Sequence, residues 1–172
     1  MRYLLPLISL LFFSCSNTIY IVRHAEKETG IDMATMKPST DPPLSLAGQE
    51  RALKLKQVLS SENIKHIYST NTVRTISTGT PLKELYLGML IQIYSSKMDS
   101  MDAFIQRIKN IRKGNVLIVG HSNTVDDLAN KIAGAAVVPG DLKDSEYDNL
   151  FILKRKGNAY KFKNEKYGLS SK

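Results

Sequence analysis

Arg23 and His24 stand side by side at the end of the apolar run TIYIV, residues 18–22. Arg74 lies in the stretch YSTNTVRTISTGTPL, residues 68–82, and His121 follows directly on VLIVG, residues 116–120. Arginine presents a planar, permanently charged fork of donors that matches the oxygens of a phosphate. A histidine can attack phosphorus through a ring nitrogen, dividing one difficult displacement into two. A second imidazole, if protonated, donates to phosphoryl oxygens, and a helix opening after His121 adds backbone N–H groups and a positive dipole end. Stabilising charge around the moving group is the main demand of phosphoryl transfer. Brought to one rim, two histidines and two arginines make a pocket for a dianion.

That convergence depends on the elements carrying the four residues. Thr18–Val22 reads as a strand buried on both faces. Residues 27–43, rich in Asp, Thr, Pro and Gly, read as a loop. Ser45 is placed to cap a helix running to about Leu59, with Ala52, Leu55, Val58 and Leu59 facing inward. Ile64–Ser69 is a second strand; a helix from Arg74 to about Leu85 follows, which Pro81 is expected to interrupt, and Leu90–Tyr94 is a third strand. Met101, Phe104, Ile105, Ile108 and Ile111 form one helical stripe, stopped by Lys113-Gly114-Asn115. Val116–Val119 is the clearest buried strand, and Val125, Leu128, Ala129 and Ile132 form the stripe of a last helix closed by Gly134. Two late strands, Asn149–Lys154 and Tyr160–Lys163, flank the turn signal Gly157-Asn158. Strands alternating with helices predict an α/β fold, a three-layer α/β/α sandwich around a mostly parallel sheet. Ligands of such sheets gather beyond the carboxyl ends of the strands, where Arg23-His24, the Ser69–Arg74 stretch and His121-Ser122-Asn123 all fall. Glu146-Tyr147-Asp148 before the late strand could reach the same rim.

The bulk properties bound the rest. At 172 residues the chain is long enough for one domain with a sizeable core, assigned to residues 18–172, and it shows no internal repeat. A formal charge of +8 favours anionic partners without choosing among them. The lysines are densest at 154–166 and are not interleaved with aromatics in the manner of single-strand binders, so nucleic acid is not an expected partner. The N-terminal MRYLLPLISLLFFSCSN has one basic residue and an apolar run from Leu4 to Phe13, too short to span a bilayer. Residues 1–14 read as a signal peptide. Cys15 is the sole cysteine, which excludes an intrachain disulfide and a cysteine-based metal site. No histidine spacing suggests a metal site, and flanking arginines would repel a cation. His66, inside the second strand, is assigned to packing or exposure.

The four blocks RHAEK (23–27), PPLSLAGQERA (42–52), YSTNTVRTISTGTPL (68–82) and VGHSNTV (119–125) resemble, in order and in placement, the histidine phosphatase superfamily, the phosphoglycerate mutase-like family. The resemblance implies a metal- and cofactor-independent phosphatase that hydrolyses a phosphomonoester through a phosphohistidine on His24, with Arg23, Arg74 and His121 holding the phosphate. Ser122 joins them as a substrate-binding candidate, and Ser69 and Thr78 would support the second arginine. The leader resembles a bacterial lipoprotein signal with Cys15 as the lipidated first residue, implying an exported protein anchored at the cell envelope. Three features depart from the family. Ala25 stands where glycine is frequent, Gly30 where mutases carry asparagine, and no glutamate follows the third strand near Tyr94. The last two argue against mutase activity and leave Glu26, Asp126 and Glu146 as unranked candidates for the proton donor. The alternative is a phosphate-binding module of the same fold with little or no turnover. A phosphorylated small molecule or a phosphorylated protein would fit either.

Overall fold

The computed structural model describes residues 17–32 and 35–171; the leader and Cys15 lie outside them. Twelve elements follow in the order β1 (Thr18–Arg23), β2 (Ile31–Asp32), β3 (Lys37–Pro38), α1 (Leu46–Leu59), β4 (Ile64–Ser69), α2 (Val73–Lys83), β5 (Ile91–Ile93), α3 (Met98–Asn110), β6 (Asn115–Gly120), α4 (Val125–Ala133), β7 (Asn149–Lys156) and β8 (Ala159–Lys166). The main sheet runs β5-β4-β6-β1-β7-β8. Its first four strands are parallel, and β7 and β8 add an antiparallel hairpin at the far edge.

Period-two alternation sends successive strand residues to opposite layers. Tyr20, Val22, Leu117 and Val119 pack with Leu55 and Leu59 of α1 and Leu82 of α2. Ile19, Ile21, Val116 and Ile118 pack with Phe104, Ile105 and Ile108 of α3 and with Leu128 and Ile132 of α4. Two-sided burial is why these strands read as unbroken apolar runs. The outcome is the expected α/β sandwich, with both faces of the sheet covered.

Three local expectations are corrected. Val58 lies on the exposed flank of α1, while Ala52, Leu55 and Leu59 face inward as expected. Pro81 does not interrupt α2, because it sits in the last turn. There its missing N–H removes a single helical bond. Thr80 Oγ1 donates to the Ile76 carbonyl, and the Glu84 N–H closes the end on Thr80. The segment 27–43 is not wholly a loop, since β2 and β3 pair as a minimal antiparallel ribbon. Two residues per strand carry no periodicity that a sequence could display.

Candidate active site

Parallel pairing sets the site. Arg23 is in register with Gly120, and Ser69 with Val119, so the loops leaving β1, β4 and β6 emerge side by side. The His24 N–H continues the ladder onto the Gly120 carbonyl at 2.9 Å. Arg23, His24, Arg74 and His121 accordingly line a single open cleft of about 570 Å³, with Lys27 and Lys97 at its rim. The two imidazoles meet edge to face, their ring centres 5.5 Å apart.

Close backbone approaches hold this arrangement. The N-terminus of α1 abuts the segment after His24: Ser45 N donates to the Glu26 carbonyl at 3.0 Å, and the Ser45 hydroxyl accepts from Gly48 N, the cap the sequence suggested. A Cβ at Gly48 would stand 2.0 Å from the Glu26 carbonyl oxygen, so only glycine allows this docking. From the other side Thr78 of α2 accepts the Ala25 N–H at 2.9 Å and donates to the Arg74 carbonyl at 2.8 Å. One hydroxyl thus ties the loop bearing the histidine to the helix bearing the arginine. Ser69 donates to the Thr70 carbonyl beneath the rim.

His24 is 4% exposed, and its pKa is pushed down to about 3. Burial is the main cause. The hydrogen bond to Ala25 opposes the fall, and the positive charges of Arg23 and Arg74 add to it. The ring is therefore neutral at physiological pH. Nδ1 lies 2.8 Å from the Ala25 carbonyl, which can only accept, so Nδ1 carries the proton and Nε2 the lone pair.

His121 is also neutral, its pKa pushed to about 4 by burial and then by Arg74 and Arg23. Its Nε2 lies 2.9 Å from Thr70 Oγ1. That hydroxyl also lies 3.0 Å from Thr75 Oγ1, so it links the imidazole to the start of α2. The protonated second imidazole expected from the sequence is thus not the state of the free protein; a bound dianion would favour it.

The guanidiniums are positioned differently. Arg23 is buried, with Nη1 donating to the carbonyls of Lys143, Asp144 and Glu146 at 2.8, 3.1 and 3.2 Å. Its Cζ stacks 4.1 Å from the Tyr147 ring centre. Arg74 Nη1 donates to Asp41 Oδ1 at 2.9 Å, and Asp41 also accepts the Val73 N–H, standing in for the side-chain cap that Thr72 does not provide. The Nε–H groups of both arginines are buried with no hydrogen-bond partner among the described residues. Buried donors are ordinarily satisfied. An oxyanion in this cleft would offer them acceptors.

Ser122 also lines the cleft. The three candidate acids do not. Glu26 is held bidentately by buried Arg51, whose Nε lies 2.8 Å from Oε2 and Nη2 2.7 Å from Oε1, and it faces a separate depression beside the C-terminal segment. Asp126 is buried in the first turn of α4, and burial raises its pKa. Glu146 accepts the Lys143 N–H at 2.8 Å, closing its own loop. The carboxylate that does line the cleft is Asp144, fully exposed and 3.9 Å from Arg23 Nη2. His66 is half-buried in β4, away from these groups. Sequence reasoning missed Asp41, Thr70 and Asp144. It flagged the Tyr147 segment as one that could reach the rim, and the Tyr147 ring does stand 6.0 Å from that of His24. Among the described residues no cluster of His, Cys, Asp or Glu is arranged to hold a metal ion, and no helix is long and apolar enough to cross a membrane.

Comparison with known proteins agrees with the family resemblance and the fold class read from the sequence. The profile of the histidine phosphatase superfamily (branch 1) matches residues 19–93, the part of the chain carrying Arg23, His24 and Arg74. No curated protein matches the chain. Among solved structures, the protein histidine phosphatase SixA complexed with tungstate superposes with a TM-score of 0.64 at 15% identity, over 87% of this chain and 96% of that one. YhfR of Bacillus stearothermophilus superposes at 0.58 and 18% identity, over 84% of this chain and 94% of that one. A mycobacterial glucosyl-3-phosphoglycerate phosphatase complexed with VO3 gives 0.61 and 13% identity, over 90% and 100%. The chain has the fold of the histidine phosphatase superfamily and carries that superfamily's sequence pattern over residues 19–93.

Proposed function

We propose that this protein is a phosphatase acting through a covalent phosphohistidine on His24. The observation that carries the reading is the fixed tautomer of His24: a neutral, buried ring whose Nδ1–H is held by the Ala25 carbonyl and whose Nε2 lone pair is free beside two arginines. Nε2 attacks phosphorus and the bond from phosphorus to the leaving oxygen breaks, with that oxygen taking up a proton. Water then attacks phosphorus, the P–N bond breaks, and inorganic phosphate leaves with the Nε2 lone pair restored. Arg23, Arg74 and His121 hold the phosphoryl oxygens, and Ser122 borders them. The residues themselves supply the positive charge, so the reading requires no metal. Phosphorylated small molecules and phosphorylated proteins are the substrate classes, and the site is carried at the cell envelope through Cys15.

The superfamily match over the segment bearing the nucleophile supports this reading, as do the tungstate and vanadate complexes of two similar structures, both anions being analogues of phosphate. A second reading, a phosphate-binding module without turnover, draws on one observation: the carboxylate lining the cleft is a fully exposed aspartate, with no buried acid beside it among the described residues. Turnover of a chromogenic phosphomonoester by the wild type, lost in His24→Ala, supports the phosphatase. Vanadate binding without hydrolysis across a broad phosphorylated panel supports the module, and equal turnover in both proteins rejects His24 as nucleophile.

A further inference from the structure

The pole of the molecule opposite the cleft carries a cluster of exposed cations that the proposed chemistry does not use. It is built where the parallel strands begin. The chain enters β1 at Asn17, whose side chain donates to the Ile111 carbonyl at 3.0 Å and accepts from Arg155 Nε at 2.9 Å. Asn17 is therefore fixed between the turn before β6 and the far end of the β7–β8 hairpin. Exposed cations surround this entry. Arg112 and Lys113 lie in the turn, Lys65 packs beside Gly114, and Lys154, Lys156 and Lys161 occupy the hairpin end. None of the six is in an ion pair among the described residues. Of the nearby acids, Glu62 is engaged by the Tyr20 hydroxyl and Glu165 by Lys163.

The pairing register adds a second observation. Lys154 lies directly across from Lys161 in the antiparallel β7–β8 ladder. Like charges at such positions destabilise a sheet, and opposite charges would stabilise it. An external anion would relieve the repulsion between these two cations.

We infer that this pole rests on a bilayer surface bearing anionic headgroups, so that the cleft points away from the membrane. Three features favour a membrane over nucleic acid. Five of the six cations are lysines, which act as point charges toward headgroups. Among the described residues no exposed aromatic ring accompanies them to stack on bases. The residues preceding Asn17 in sequence include the apolar run Leu4–Phe13. The six-residue strand β1 then separates pole from cleft by about 17 Å at ~3.3 Å per residue. A substrate would be taken from the aqueous side rather than from within the lipid.

The test uses the full chain with vesicles of phosphatidylcholine, with and without phosphatidylglycerol, at low and high salt. Binding is read by flotation, and contact by the acylation rate of each lysine. The expected result is protection of Lys113, Lys154, Lys156 and Lys161 on phosphatidylglycerol vesicles, with Lys27 and Lys97 at the cleft still reactive. Protection and the gain in binding should both weaken in high salt. Replacing Lys154, Lys156 and Lys161 together by Glu should remove the phosphatidylglycerol-dependent gain, a loss exceeding the roughly hundredfold expected at about fivefold per lysine removed because the charge is also reversed. These side chains are exposed strand-end residues outside the core. A parallel variant with the three replaced by Gln, expected to lose part of the gain while melting as the wild type does, separates charge from folding. Equal binding to both vesicle types with the patch lysines still reactive would overturn the inference in favour of the apolar leader alone. Equal protection by an oligonucleotide of matched charge would overturn it in favour of general polyanion binding.

Discussion

Mild acid should reveal the buried, neutral state of His24. The unfolded chain binds a proton on this ring near the ordinary value of 6.5, whereas the folded chain binds it only near about 3. Between those values unfolding takes up a proton, so stability falls as pH falls. On moving from about pH 7.5 to about pH 5, the unfolded state gains roughly 2 kcal/mol from this single residue. His121, with its pKa lowered to about 4, acts in the same direction. Urea unfolding of the wild type and of His24→Asn at both pH values isolates the His24 contribution, because the other titrating groups are common to both proteins. The wild type should lose about 2 kcal/mol more than the variant over this interval. Identical losses in the two proteins would show that His24 is solvated or protonated in the folded state, and the fixed Nε2 lone pair would go with it.

Other consequences concern the groups that position the site. Asp41→Asn removes the charge that holds Arg74 and weakens the cap on Val73; it should cost about 1 kcal/mol of stability and lower kcat/KM while leaving the His24 pKa little changed, as a pH titration by NMR would show. Gly48→Ala places a methyl group 2.0 Å from the Glu26 carbonyl and should destabilise by about 1–3 kcal/mol, read by chemical denaturation. Glu26→Gln breaks a bidentate pair with an arginine that is 4% exposed and should cost about 3–5 kcal/mol. If Glu26 serves structure rather than proton transfer, the folded fraction of that variant keeps its kcat and its pH profile.

Much of the fold was legible because burial on both faces leaves a strong signal. The apolar strands at 18–22, 64–69 and 116–119 and the stripes of α3 and α4 fall where the structure has them. Their carboxyl ends carry Arg23, His24 and His121 into one cleft because the parallel register leaves them nowhere else to go. The parts that were not legible depend on groups meeting across long stretches of irregular chain. Asp41 reaches Arg74 from a loop 32 residues from Val73, and nothing in its local sequence marks it as a cap for a distant helix. Glu26, two residues beyond His24, stood among the three candidate proton donors. Its real partner, Arg51, lies on the face of α1 that also receives the C-terminal segment through the carbonyls of Tyr167 and Leu169. Pro81 misled for a different reason. A proline interrupts a helix in its middle but is tolerated in a last turn, and the end of α2 carried no glycine to mark it.

A search for a phosphorylated form of the protein during turnover is the decisive measurement. Rapid mixing with a phosphomonoester, quenching in base and phosphorus NMR of the denatured protein should show one phosphohistidine, labile in acid, substituted at Nε2 and mapping to His24, with no such species in His24→Ala. Phosphate on another residue, substitution at Nδ1, or steady hydrolysis undiminished in His24→Ala would contradict the assignment.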